Sequence, residues 1–264
     1  MTREPPNGVK RQLRREVRFG CPVETCGSPY LTYHHFNPPW RKEQHHDPER
    51  MIALCWTHHN IAEGGGFSVQ QLRALKQRPY LATQKVQWRF DVWDRRRLVI
   101  LAGGNWFFDP PFVLSVRGHV VVGLTQPPDP AEPGGLNLDA RNASGEPVLS
   151  MEANAWNLDI VPDDLECSPR GNALEVSHKQ SQLNLSVRFD SLEPEDLIRL
   201  FDRLAMEEQQ RSDVLENAVE WPIGLCTVEG KLAWPIPVQM TGQDIIGNRQ
   251  LYEMNIFSGH GIIM

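Results

Sequence analysis

Two hydrophobic periods divide the chain. In GVKRQLRREVRF, residues 8–19, the apolar positions Val9, Leu13 and Val17 recur every four residues and predict a short helix with one apolar stripe. Lys10, Arg11, Arg14, Arg15 and Arg18 fill much of its remaining surface. A second helical pattern follows the glycines at 64–66, in FSVQQLRALKQRP. There Ser68 and Gln71 have the spacing of a capping box, Leu72 and Leu75 form the apolar face, and Pro79 stops the helix. From about Val86 the period drops to two. Segments such as RRLVILAG, HVVVGL, LNLDARN and LNLSVRF alternate apolar with polar residues between turns such as TQPPDPAEPGG and ASGEP. This texture predicts a mainly antiparallel β domain, a sandwich or a solenoid-like stack, although no repeat is clean enough for a solenoid. One longer helix interrupts it near 193–218, with Leu197, Leu200, Phe201 and Leu204 on its buried face. The expected class is α+β, with a small first domain over residues 1–82 and a β-rich domain over residues 86–264.

Charge sharpens that division. The net charge of −6 conceals an asymmetry: residues 1–100 hold 17 Lys and Arg against 9 Asp and Glu, and residues 101–264 hold 10 against 24. The basic part suits a nucleic-acid backbone, with Arg11, Arg14, Arg15, Arg18, Arg41 and Lys42 as candidate DNA-phosphate contacts. The acidic part would repel DNA and suits a protein partner, a small-molecule ligand or a homo-oligomer interface. No apolar run approaches the roughly 18 residues of a membrane span. The first twenty residues lack an apolar signal core, and the five cysteines are an odd count. A cytoplasmic protein is expected, with its thiols reduced or on metal.

The candidate chemistry lies in YHHFNPPWRKEQHHDPERMIALCWTHHN, residues 33–60, which holds six of the nine histidines as three doublets. Upstream, CPVETC provides Cys21 and Cys26; within it, CWTHH provides Cys55 with His58 or His59. Two close ligand pairs joined by a loop are what a tetrahedral structural zinc requires, and Cys21, Cys26, Cys55 and His58 are the expected set. A small polar domain of this kind needs such a staple. Asp47-Pro48 reads as a turn and the third doublet, His45-His46, as a solvated loop. Trp40 reads as a packing residue. Cys167 and Cys226 read as buried thiols, and His119, His178 and His260 have no evident partner.

C-x4-C, a His-His doublet followed by FNPP, and MIALC-x2-HHN together resemble the HNH endonucleases over roughly residues 11–78. The resemblance implies a zinc-stabilised ββα-metal, treble-clef-like core and hydrolysis of DNA phosphodiester bonds, in restriction or anti-phage defence by analogy of layout. It implies that His35 is the general base, that His34 and His59 hold a catalytic Mg²⁺, Mn²⁺ or other divalent transition metal, and that His58 replaces the last zinc cysteine. A neutral imidazole suits the base role near neutral pH, and one divalent ion can stabilise the leaving oxygen. Adjacent strand residues face opposite sides, so His34 and His35 share a site only if the strand ends or bulges there, which Asn37-Pro38-Pro39 makes feasible. The departure is Arg50, which stands where the family has Asn. Arg has no acceptor and would grip a phosphate instead, or His46 takes the middle role. The competing reading is a zinc-stabilised module that binds DNA or protein without catalysis. The β-rich region shows no phosphate loop, nucleophile elbow or paired-carboxylate motif of its own.

Overall fold

The structure, a computed structural model, describes residues 2–83, 85–90, 98–108, 110–125, 134–203, 208–215, 223–241, 244–247, 250–253, 256–258 and 261–264. The chain is α+β with sheet predominating, and it divides into two compact units. The first takes Met1–Trp88 together with Ile160–Ser177; the second takes Arg89–Asp159 and His178–Met264.

In the first unit, α1 (Asn7–Glu16) precedes an antiparallel pair, β1 (Leu31–His35) and β2 (Met51–Cys55), in the register Leu31 to Cys55 through His35 to Met51. Two helices follow, α2 (Trp56–Glu63) and α3 (Val69–Gln77). The predicted stripe of α1 is the one buried: Leu13 and Val17 are fully enclosed and Val9 packs against the same core. The helix ends earlier than the periodicity predicts, because Arg18 and Phe19 take left-handed backbone angles, φ 59° and 63°. The capping box at α3 forms as expected, with Ser68 N–H donating to Gln71 Oε1 at 2.8 Å and Gln71 N–H donating to Ser68 Oγ at 3.2 Å. Lys76, whose spacing gave no hint of burial, clips α3 inward by donating to the carbonyls of Pro48 and Met51 and pairing with Glu16. All five residues of β2 are buried, so β2 is the middle of this small core.

The boundary at residue 86 requires a correction. The hairpin formed by Asp164–Cys167 and Ala173–His178 is assigned in its larger part to the first unit, because its acidic end neutralises α1. Arg14 is buried and donates to both oxygens of Asp164 and to the Tyr33 hydroxyl, and it pairs with Glu166 at 3.0 Å. Arg11 Nε donates to Asp164 at 2.8 Å, and Arg15 donates to the Asp163 carbonyl. A buried guanidinium must be paired to be tolerated, and the hairpin supplies the carboxylates that the first 88 residues do not place there.

The second unit is built from alternating strands, as predicted. One sheet runs Ile262–Ile263, Phe112–Val116, His119–Thr125, Gly135–Arg141, Pro147–Glu152 and Ala155–Leu158 in spatial order. In another, Leu183–Leu192 pairs antiparallel with Ile223–Leu232 from Asn184–Lys231 to Leu192–Ile223. Three pairings are parallel, which the alternation alone did not foretell: Leu98–Ala102 on Ile223–Leu232, Ile256–Ser258 on Asn105–Phe108, and Ile262–Ile263 on Phe112–Val116. Along Ile223–Leu232 the partner changes from Leu98–Ala102 to Val238–Met240 at Gly230, whose φ is +138° and where a Cβ would lie 1.9 Å from the Asn184 carbonyl oxygen. The helix expected over 193–218 is present as α4 (Pro194–Arg203) and α5 (Glu208–Leu215); Leu197, Leu200 and Phe201 are buried, and Leu204 lies outside the described residues. Among the described residues no helix is long and apolar enough to cross a membrane.

Candidate metal centre

The four residues expected to hold zinc converge. Cys21, Cys26, Cys55 and His58 place their donor atoms within 4.8 Å of one another. Cys21 and Cys26 come from a tight loop in which Cys21 N–H donates to the Ser28 carbonyl and Thr25 and Gly27 take φ 65° and 60°. Cys55 ends β2, and His58 sits in the first turn of α2. Cys26 Sγ lies 3.8 Å from Cys55 Sγ, and His58 Nδ1 lies 3.3 and 3.2 Å from Cys21 and Cys55 Sγ. Tetrahedral bonds of zinc length have S–S edges of about 3.8 Å and S–N edges of about 3.5 Å. The cluster could therefore hold a metal such as zinc. The Cys55 thiol is pulled down to about 4, first by the hydrogen bond from Cys21, while Cys21 is pushed up by its contact with Cys55 and by burial. One thiolate among close thiols is the expected metal-free state, and a bound dication would deprotonate the others.

A second donor set lies on the other side of the same helical turn. His58 and His59 point about 100° apart. His59, His34 from β1, and Glu63 one turn further along α2 bring their donor atoms within 4.8 Å of one another. Glu63 Oε1 stands 3.4 Å from His59 Nε2 and 3.6 Å from His34 Nδ1, spacings that match ligands about 2.1 Å from a common ion. The tautomer of His59 is set by its neighbour. Thr32 Oγ1 donates to the Leu54 carbonyl, so its contact with His59 Nδ1 at 2.6 Å is an acceptance from Nδ1–H. That leaves the Nε2 lone pair facing a carboxylate oxygen, an arrangement completed by a cation. Both imidazoles favour the neutral form: burial and then His59 push His34 down to about 4, and burial lowers His59. Partial burial raises Glu63, but Arg3 and the His59 contact outweigh it and keep the carboxylate ionised. Sequence reasoning missed both Glu63 and Thr32. The i, i+4 spacing of His59 and Glu63 was the available signal for the first.

His35 does not join this set. β1 stays regular through its last residue, so His35 faces away from His34. Its ring lies 4.8 Å from Trp40, 5.1 Å from His45 and 5.8 Å from His46, centroid to centroid. Both its ring nitrogens are buried without a hydrogen-bond partner, and burial, then His45 and His46, push it down to about 4. Trp40 packs as expected, stacked on His46. The solvated-loop reading of His45 is wrong: it is buried, its Nδ1 accepts from Asp47 N–H, and its Nε2–H therefore donates to the Pro38 carbonyl. The loop closes over β1 because these bonds fold it back.

Arg50 does not turn toward His35. Its guanidinium is held by Glu43 and Asp47, each at 2.9 Å. His46 is the one of the two candidates for the middle role that touches His35. Of the expected DNA contacts, Arg11, Arg15, Arg18, Arg41 and Lys42 are exposed. Arg14 is buried, and Arg11 and Arg15 bond to the hairpin, so part of the basic surface of α1 is already engaged. Cys167 and Cys226 are buried thiols, as expected, and burial raises both. His119 does have a partner, Asp139 at 2.9 Å, and His178 contacts Ser181 Oγ at 2.8 Å; His260 lies outside the described residues. No family model, curated protein or solved structure matches the chain.

Proposed function

We propose that the first unit is a metal-dependent DNA endonuclease module of the HNH kind, zinc-stapled, with the second unit directing or restraining it. The observation that carries this reading is the division of two adjacent histidines: His58 completes a set of three cysteines and one histidine, and His59 a set of two histidines and one carboxylate. A structural zinc needs four ligands, so His34, His59 and Glu63 are surplus to it. Two neutral imidazoles and one carboxylate leave positions open for phosphate and water, as a catalytic ion requires. A divalent ion held there would polarise a phosphodiester and stabilise its leaving oxygen. Thr32 fixes the orientation and tautomer of His59, the usual work of a group behind a ligand. The resemblance makes His35 the base that takes a proton from the attacking water; its ring stands on the other face of β1 from His34 with both nitrogens buried, so the base role requires that face to open to the site. His46 and Trp40, in contact with that ring, position it.

Plasmid nicking with Mg²⁺, Mn²⁺ or Ni²⁺ tests the reading. Cleavage should be lost in His59→Ala with loss of the second ion, and lost in His35→Ala with both ions retained. No nicking by the wild type under any of these metals would overturn it. The engagement of Arg11, Arg14 and Arg15 by the hairpin favours a second reading, a zinc module that binds without cutting. That reading expects one tightly held zinc and no nicking.

A further inference from the structure

Arg3 acts on the Glu63 carboxylate directly: its guanidinium is hydrogen-bonded to Glu63 Oε1. This is the oxygen that faces His59 Nε2 and His34 Nδ1. Arg3 thus stands beside the second donor set, with its side chain half exposed. An exposed surface pair of this sort contributes little to stability, so folding is a poor reason for it.

The charges explain it better. Arg3 and Glu63 pair and cancel while no ion is bound. A divalent ion on Glu63 Oε1 shares that oxygen with Arg3, weakens its hold on the guanidinium and leaves the site with two surplus positive charges. The ion and the guanidinium then repel each other across one carboxylate. An anion that binds both at once relieves this, and the planar fork of Arg suits the paired oxygens of a phosphate.

We infer that Arg3 is the phosphate grip of this site. It neutralises Glu63 while the donor set is metal-free and transfers its fork to a non-bridging phosphate oxygen once a divalent ion is held. The ligand class is a phosphodiester or a free phosphate, recognised jointly by ion and guanidinium. This rests on the metal reading proposed above, and Arg3 acts by binding and positioning.

The test uses the full chain with its zinc retained, as wild type, Arg3→Ala and Arg3→Lys. Calorimetry measures Mn²⁺ affinity, and fluorescence anisotropy measures binding of a short phosphorothioate-linked oligonucleotide with and without Mn²⁺. Removing the competing guanidinium in Arg3→Ala should tighten Mn²⁺ severalfold. With Mn²⁺ present, Arg3→Ala should weaken the oligonucleotide about tenfold, and Arg3→Lys should recover part of that loss. Without Mn²⁺ the same variants should bind like the wild type, because Arg3 is then tied to Glu63. Inorganic phosphate that competes in an Arg3-dependent way assigns the grip to the phosphate group alone; failure to compete, with the oligonucleotide still metal- and Arg3-dependent, assigns it to a diester within nucleic acid. Equal weakening with and without Mn²⁺, or none, overturns the grip while leaving the metal reading intact. A wild type that binds no ion beyond zinc overturns both.

Discussion

The two units solve the problem of stability in opposite ways. The second unit buries its apolar faces between long ladders: Leu183–Leu192 alone pairs nine positions with Ile223–Leu232, and Phe107, Leu136, Leu149 and Val187 are fully enclosed. The first has short strands, among them the pair Leu31–His35 and Met51–Cys55, a few short helices, and a main apolar cluster of a dozen buried side chains among the described residues. It compensates with polar groups that a larger core would exclude: the three clustered thiols Cys21, Cys26 and Cys55, buried histidines and a buried arginine. Groups of this kind are costly unless paired, and the same pairing requirement makes them available for chemistry. The unit that is hardest to hold together is therefore the one that carries the candidate site.

This contrast can be broken at several points. The largest effect is expected from Cys55→Ser, or from removal of the bound metal with a strong chelator. A structural zinc contributes on the order of 10 kcal/mol to folding, so the first unit should lose protection in hydrogen exchange while the strands of the second keep theirs. Collapse of both units together would show that the second also depends on the cluster.

Under the proposed function His59→Ala comes next: it should retain zinc, lose a second ion and reduce cleavage by roughly three decades, as expected when several kcal/mol of charge stabilisation disappear. Metal analysis alongside the nicking rate separates this from unfolding.

Asp164→Ala should destabilise the first unit by about 2–3 kcal/mol in denaturant titration, because the buried Arg14 then keeps only Glu166 and the Tyr33 hydroxyl. Replacing Arg14 with Met together with Asp164→Ala should restore part of the loss. An unchanged midpoint for Asp164→Ala would return the hairpin to the second domain, where the alternation had placed it.

Acid should act on the first unit more gently. The pKa of His35 is depressed in the folded protein from 6.5 to about 4, so the folded state binds fewer protons than the unfolded one between those values. Its contribution is complete above about pH 6.5 and is lost as pH falls toward 4, about 1 kcal/mol by pH 5.5. His35→Asn should flatten that part of the pH profile. A profile identical to the wild type would place the acid sensitivity elsewhere. The smallest change is expected from Arg18→Ala, which should leave stability untouched and lower the salt dependence of DNA binding by about one unit of slope. Arg14→Lys should affect stability before it affects DNA.

Much of this was legible in the chain itself. Local rules fixed α3, because its capping box and apolar spacing need only nine consecutive residues and one turn of geometry. They fixed the division of His58 from His59, because residues 100° apart on a helix cannot serve one ion alike. The zinc set followed from ligand type and spacing, since thiolates and an imidazole in two close pairs have few other uses. What could not be read locally depended on contacts between distant residues. Arg14 looked like a DNA contact until Asp164, 150 residues away, took its charge. Glu63 had no assigned role until β1 brought His34 against it, and the resemblance placed His34 and His35 in one site until an unbroken strand turned them apart. Periodicity records which face of an element is apolar. It does not record which partner comes to that face, and pairing of charges, choice of tautomer and assembly of a donor set are all properties of the partner.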